Sequence, residues 1–326
     1  MADYELGGHE LESPLINAAG SVNGTSPDLI LREVTELAGT GIGAITVGSF
    51  TVPAQAGNEA RFGAPVYYHD SATGATYNSM GLPNIGLAEA TRLMPKIVAI
   101  AHERGKPVIA NVSPTQPSAE IGDTFEQTVQ LVGTLQGTGV DLIEVNTSCP
   151  NVVTTGGGRK PILGYDLEGM TRLVEQLEPL VEVGHTRIGV KLPPYLSEEE
   201  LRIVPQLAQL FREHPVFEFI VTANTIPGQI PRGSTGEPIL TVPGGAGGMS
   251  GATTREVGRE QLRLWRAQMG SGIEVVSTLG VVDGRELAVR RQLGATAAGG
   301  VTFLWEADSL GRAVTDMLTQ WTEAEE

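Results

Sequence analysis

The chain has 326 residues, of which 40% are hydrophobic, 18% charged and only 5% aromatic. Its 42 glycines and 20 prolines are scattered between apolar runs, which excludes collagen, low-complexity disorder and coiled coil. The formal charge is −16 and no Lys/Arg cluster interrupts it, so neither nucleic acid nor acidic lipid is an expected partner.

The first dozen residues place Gly7-Gly8 between two short alternating runs and predict a small hairpin. They lack the apolar core of a signal peptide. Short, Val/Ile-rich strands are then expected at 15–19, 44–48, 108–112, 142–146, 187–192, 218–223, 273–278 and 296–300. Most are apolar throughout, as strands covered on both faces should be. The first helix opens at Ser26-Pro27, with proline at a first helical position, and closes at Gly39. Further helices are expected at 87–104, 119–136, 167–180, 198–213, 254–269, 284–293 and 310–321. No stretch of about 18 uncharged apolar residues is present, so no membrane span is expected.

Eight strand–helix alternations imply right-handed crossovers and a parallel sheet. The length suits a (β/α)8 TIM barrel as a single domain over 1–326, with the hairpin capping the N-terminal end of the strands. A doubly wound sheet is the alternative. It should show a G-x-G-x-x-G turn after the first strand, where this chain reads AAGSVNGTS. Loops leaving strand C-termini are long, at 49–86, 147–165 and 225–253, and barrel enzymes build their sites from those loops.

Cys149 is the single cysteine. It can form no internal disulfide and no multi-cysteine metal site, and it fits a reducing, cytoplasmic setting. The five histidines show no metal-ligand spacing, so no metal is expected; His69, in the first long loop, is the one nearest to chemistry.

Cys149 lies in Asn146-Thr147-Ser148-Cys149-Pro150-Asn151, just after the fourth strand. A thiolate can accept a proton or attack carbon, and asparagine offers both a donor and an acceptor to a planar heterocycle. The same residues also make good turn chemistry, so composition leaves both readings open. Lys191 ends the fifth strand, where a buried ammonium needs a partner and could face an anion or an electron-rich cofactor. A surface lysine at a strand end is the other reading. Asn78-Ser79-Met80-Gly81-Leu82-Pro83-Asn84 and Ala223-Asn224-Thr225 add hydrogen-bonding groups in loops. Glycine-rich segments occur at 244–251, at Thr278-Leu279-Gly280 and at Gly299-Gly300-Val301-Thr302. The last two follow strands seven and eight, the usual phosphate position in a barrel.

NSMGLPN, NTSCPN, GVKLPPY and GGMSGA, in this order and spacing, resemble the dihydroorotate dehydrogenase family. The likeness runs from SPLINAAG to the last strand. It implies a barrel with FMN at the C-terminal mouth, oxidising dihydroorotate to orotate in pyrimidine biosynthesis. Cys149 resembles the base of the soluble class 1 enzymes. By the same resemblance Asn78, Asn146, Asn151, Asn224 and Thr225 would hold the substrate, with the backbone around Met80, Gly81 and Leu82. Ala19, Gly20, Ser49, Asn111, Asn146, Lys191, Gly251, Gly280, Gly300 and Thr302 would hold FMN. Lys191 would stabilise the charge left by hydride transfer. Soluble members are commonly homodimers.

The chain departs from the family where a lysine is expected. The segment after the second strand reads Thr46-Val47-Gly48-Ser49-Phe50-Thr51, and that after the first reads Ala18-Ala19-Gly20-Ser21-Val22-Asn23-Gly24. Arg61 is a candidate to restore some of that positive charge. The missing lysine leaves another dihydropyrimidine or cyclic amide open as substrate, and drift in the phosphate loops, at Thr278-Leu279-Gly280-Val281 and Val301-Thr302, leaves open a catalytically silent barrel that has lost FMN.

Overall fold

The computed structural model describes residues 4–114, 121–154, 156–183 and 186–326. The chain opens on β1 (Glu5–Leu6) and β2 (His9–Glu10), paired antiparallel across Gly7 and Gly8, both of which have positive φ. There follow β3 (Leu15–Asn17), α1 (Pro27–Ala38), β4 (Ile45–Phe50), α2 (Gly57–Phe62), β5 (Tyr67–Asp70), β6 (Ala75–Asn78), α3 (Gly86–His102) and β7 (Val108–Val112). Next come α4 (Ile121–Gln136), β8 (Leu142–Asn146), α5 (Leu167–Val183), β9 (Arg187–Lys191), α6 (Glu198–Glu213), β10 (Phe219–Thr222), β11 (Ile226–Gln229) and β12 (Gly247–Gly251). The chain ends with α7 (Arg255–Met269), β13 (Glu274–Ser277), α8 (Gly284–Gln292), β14 (Ala297–Gly300), α9 (Thr302–Trp305) and α10 (Leu310–Glu325).

Eight strands form one parallel sheet in the order β3-β14-β13-β10-β9-β8-β7-β4. A parallel bridge between Ile16 and Ala44 brings its two edges together, so the sheet is a nearly closed (β/α)8 barrel. The doubly wound alternative is thereby excluded. Strands at 108–112 and 142–146 and the helix at 198–213 have the expected bounds. The helix expected at 119–136 is seen from Ile121; its first two residues lie outside the described residues.

Local chemistry explains the helix starts. Ser26 accepts from the Leu29 amide ahead of Pro27, and Ser197 and Glu200 form a reciprocal capping box on α6. On α6 the apolar face, Val204, Leu207, Ala208 and Phe211, then turns into the core.

Inside the barrel, the two-residue strand period sorts side chains into layers. The lowest layer is apolar: Ile16, Ala44, Ile109, Leu142, Phe219, Val276 and Ala297 pack with Leu6 of the hairpin. The hairpin therefore plugs the N-terminal end, as expected. Two residues further along β7 and β8, Asn111 and Glu144 face inward side by side. Two residues beyond Glu144, Asn146 stands in register with Lys191 at the upper rim.

The long loops hold structure that the sequence pattern did not announce. β11, β12, β6 and β5 form a four-stranded antiparallel sheet over the mouth. Gly251 is where β12 meets the turn before β6; a Cβ there would lie 2.2 Å from the Gly74 carbonyl oxygen. Among the described residues, no helix is long and apolar enough to cross a membrane.

Candidate active site

The barrel mouth and its antiparallel cover enclose a cavity of about 300 Å3. Strand ends deliver most of its wall. Ala18, Ala19 and Gly20 follow β3, Ser49 comes from β4, and Asn146, Cys149 and Asn151 leave β8. Lys191 ends β9, Asn224 and Thr225 follow β10, Gly280 follows β13, and Gly300 and Thr302 follow β14. Asn78, Met80, Gly81 and Leu82 come in from the cover. The structure thus brings together groups separated by more than 200 residues, because parallel strands present all their C-termini on one rim.

Two expected residues do not line this cavity. Asn111 is fully buried one layer lower and donates through Nδ2 to Glu144 at 2.5 Å. Gly251 packs within the cover, close against the Gly74 carbonyl, and its neighbour Ser250 faces the cavity instead. Arg61 is also elsewhere. Its guanidinium lies over Phe62 and donates to the Val153 carbonyl at 2.8 Å, so it supplies no charge to the cavity wall.

A network of amides and hydroxyls surrounds Cys149. Asn146 accepts from the Ser148 hydroxyl at 2.8 Å and donates to Ser49 at 3.3 Å. Asn224 donates to the same Ser148 hydroxyl at 3.0 Å. On the facing side Asn151 donates to Asn78 at 2.8 Å. The Oδ1 of Asn151 and the Oγ1 of Thr225 are buried without a protein partner. Buried polar atoms without partners are costly, so this wall is prepared for a ligand with donors of its own.

The charges are few and close to Cys149. Burial pushes its thiol up, while an Asn151 backbone hydrogen bond, the Lys191 ammonium and the Arg159 guanidinium pull it down. Arg159 is tied to the loop by donating to the Pro150 carbonyl at 3.0 Å and to the Ala246 carbonyl. Lys191 is 5% exposed, and its carbonyl accepts from the Thr147 hydroxyl at 2.9 Å. Its counter-charge is Glu144 in the layer below. Burial raises the Glu144 carboxyl; Lys191 and the Asn111 hydrogen bond oppose that rise.

Several lining residues escaped the sequence reading. Thr76 and Ser250 are two of them, and they join their hydroxyls to that of the expected Thr302, with Thr76 Oγ1 at 2.7 Å from Ser250 and 3.1 Å from Thr302. Tyr67 donates to Glu306 at 2.5 Å and meets Trp305 edge-on at 5.1 Å; both rings line the cavity. His69 shares Glu306 with Tyr67, its Nδ1 lying 2.5 Å from the carboxylate. GGMSGA carried Ser250 in plain view, but no local pattern pointed to Tyr67, Thr76 or Trp305.

Glu33 is the least expected of these. It reaches the cavity from α1, its Oε2 is buried without a partner, and burial pushes its carboxyl up to about 7. Arg32 opposes the rise and Glu36 adds to it. The unfolded chain ionises this group at its ordinary value of 4.5, before the folded one does. Folding therefore carries no penalty from Glu33 below about pH 4.5, a growing one up to about pH 7, and a constant one above. Glu33→Gln is expected to match the parent in acid and to melt at a higher temperature at neutral and alkaline pH. Thermal unfolding below, within and above that window measures it; a gain in Tm that is the same at every pH would contradict the assignment.

A family model described as "Dihydroorotate dehydrogenase" matches residues 1–320. A protein of Enterococcus faecalis named "Probable dihydroorotate dehydrogenase A (fumarate)" is 28% identical over 297 residues, which span 90% of this chain and 84% of that one. A "Dihydroorotate dehydrogenase (fumarate)" of Trypanosoma brucei brucei is 31% identical over 254 residues, 75% of this chain and 69% of its own. A "Dihydroorotate dehydrogenase (quinone)" of an Arthrobacter species is 30% identical over 290 residues, 85% and 74% of the two chains.

Proposed function

The chain belongs to the dihydroorotate dehydrogenase family, flavin-dependent oxidoreductases acting on CH–CH bonds, and from that premise we propose that it oxidises dihydroorotate to orotate with FMN in the cavity and Cys149 as the base. The observation that carries this reading is one buried thiol set among Asn78, Asn146, Asn151 and Asn224, with Lys191 behind it.

The residues fit FMN. A Cβ on Gly20 would meet nothing within 4 Å, so there is open room beside this part of the wall. The Thr76, Ser250 and Thr302 hydroxyls offer hydrogen bonds to a phosphate, and the amides after β13 and β14 complete a polar end. Ala19, Gly20, Ser49, Asn146, Lys191, Gly280, Gly300 and Thr302 are the wall residues proposed to hold it. Asn111 would act from the layer below and Gly251 by setting the position of Ser250.

When bound, FMN supplies an acceptor for the hydride that leaves substrate C6. Cys149 Sγ takes the proton from C5, so the substrate loses both hydrogens and gains the ring double bond. The asparagines and Thr225 hold the ring amides and the carboxylate, which fixes C5 near Sγ. Lys191 keeps a positive charge at the site where negative charge accumulates. Met80, Gly81 and Leu82 close the cover side against water.

The test is the visible absorbance of the purified protein before and after anaerobic dihydroorotate. A flavin spectrum that bleaches is expected. A colourless protein would favour a silent barrel and overturn the FMN assignment. A spectrum that stays oxidised would favour the second reading, another dihydropyrimidine or cyclic amide. What supports that second reading is the wall itself: neither the segment at 18–24 nor that at 46–51 brings a lysine to it, and Glu33 adds an acid. Fewer cations should weaken recognition of an anionic substrate. The proposal also takes the enzyme, a single unit over 1–326, as a cytoplasmic homodimer on a small-molecule substrate; light scattering tests the oligomeric state.

A further inference from the structure

Beneath the turn after β13 lies a fully buried arginine. Arg290, on α8, is 0% exposed. Its Nη1 donates to the Ser277 hydroxyl at 2.7 Å and to the Thr278 carbonyl at 3.2 Å. Its Nη2 donates to the carbonyls of Leu279 and Arg255, each at 3.0 Å. Its Nε donates to Glu286 at 2.6 Å. All five N–H groups of the guanidinium are therefore used. Glu286 is itself 2% exposed and holds Arg259 at 2.6 Å through its other oxygen, so the buried charge is balanced. Gly258 on α7 makes room for this contact: a Cβ there would lie 2.1 Å from the Leu279 carbonyl oxygen and 2.6 Å from Arg290 Nη2.

The turn above is unusual for its residues. Leu279 has φ 62° and Gly280 φ 87°. A leucine in the left-handed region is disfavoured and needs its surroundings to hold it. In a trans peptide the carbonyl and the following amide point opposite ways. Drawing the carbonyls of Thr278 and Leu279 down to Arg290 turns the amides of Leu279 and Gly280 away from it. Thr278, Leu279 and Gly280 line the cavity, and among the described residues neither amide has an acceptor. Successive amides facing one way form an anion-binding concavity.

We propose that Arg290 is a positioning residue for phosphate-monoester binding: it locks the Thr278 and Leu279 carbonyls into the protein and so holds the Leu279 and Gly280 amides toward the cavity. This rests on the flavin reading above for the identity of the phosphate's owner. Arg290 touches neither substrate nor cofactor; it acts through the turn.

The experiment compares FMN with riboflavin, which lacks the phosphate, on protein stripped of flavin. The parent should prefer FMN. Arg290→Met leaves Glu286 paired with Arg259 and should weaken FMN by about 10–100-fold, as expected for two amides misplaced from a charged acceptor. Riboflavin affinity should change by less than about twofold, so the preference collapses. Arg290→Lys, which keeps the charge with fewer donors, should fall between and serves if the methionine variant does not fold. A parallel loss of both affinities, or no loss of either, overturns the proposal. Titration with inorganic phosphate separates it from the flavin reading. If the parent binds phosphate in an Arg290-dependent way but no flavin, the turn's role stands and the FMN assignment falls. If the parent binds neither, both fall.

Discussion

Cys149→Ala is expected to slow reduction of the flavin by dihydroorotate by ~10²–10⁴-fold while the flavin stays bound, since that is the usual worth of a positioned base. Anaerobic stopped-flow absorbance reads the rate, and the flavin-to-protein ratio reads binding. The two readouts separate chemistry from packing. Cys149 is 9% exposed and touches Leu82 and Val152 in a small apolar cluster, so alanine costs contacts there as well as the thiol. The pH profile gives the sign. Burial favours the neutral thiol, against the pull of Lys191 and Arg159. The thiolate is then a minor form at neutral pH, and the reduction rate should rise as pH rises. Cys149→Ser should keep some activity and recover more of it in alkali. If alanine reduces flavin at the parent rate, or if the parent profile is flat, Cys149 is not the base.

Lys191→Met has the second largest expected effect, and it acts on two properties at once. Loss of the cation at the rim should slow flavin reduction by ~10²–10³-fold, the magnitude typical of one electrostatic contact removed from a transition state. It should also destabilise the barrel, since Glu144 lies 2% exposed in the layer below and Lys191 opposes the rise that burial imposes on its carboxyl, leaving Asn111 as its hydrogen-bond partner. Adding Glu144→Gln to Lys191→Met should restore most of the stability and none of the rate. Denaturant unfolding and anaerobic reduction of the same two variants decide this. Recovery of the rate in the double variant would mean that Lys191 serves the fold and not the reaction.

The rest of the site was legible to different depths. The fold was read from periodicity, since each barrel strand and helix buries a face set by its own sequence. The cover sheet was not read. Its strands YYHD, ATYN, IPGQ and GGMSG are four or five residues long, and their pattern does not alternate. What makes them strands is pairing with partners far along the chain, such as Ser250 with Thr76.

The place of Cys149 and the asparagines in the cavity wall was legible because they lie in motifs at strand ends. Asn111 and Gly251 sat in suitable motifs, yet the cavity passes them by. Asn111 is on the inward face of β7 but two residues too deep, and Gly251 spends its missing side chain on close packing within the cover. Glu33, Tyr67 and Trp305 reached the cavity from a helix face, a cover strand and a short helix, and no linear pattern reports which way such residues turn.

The amino-acid sequence by itself determined the eight strand–helix repeats, the plug at the barrel's closed end and the grouping of Cys149 with asparagines at a strand end. Those features depend on hydrophobic period and on residue type over short spans. Only the tertiary structure decided which charges meet at the mouth: Lys191 over Glu144, Arg159 at the Cys149 loop, Glu33 in the cavity wall, and Arg290 under the Leu279 turn. Electrostatic and hydrogen-bonding partners depend on distance in space and on exclusion of water, and neither is written in separation along the chain.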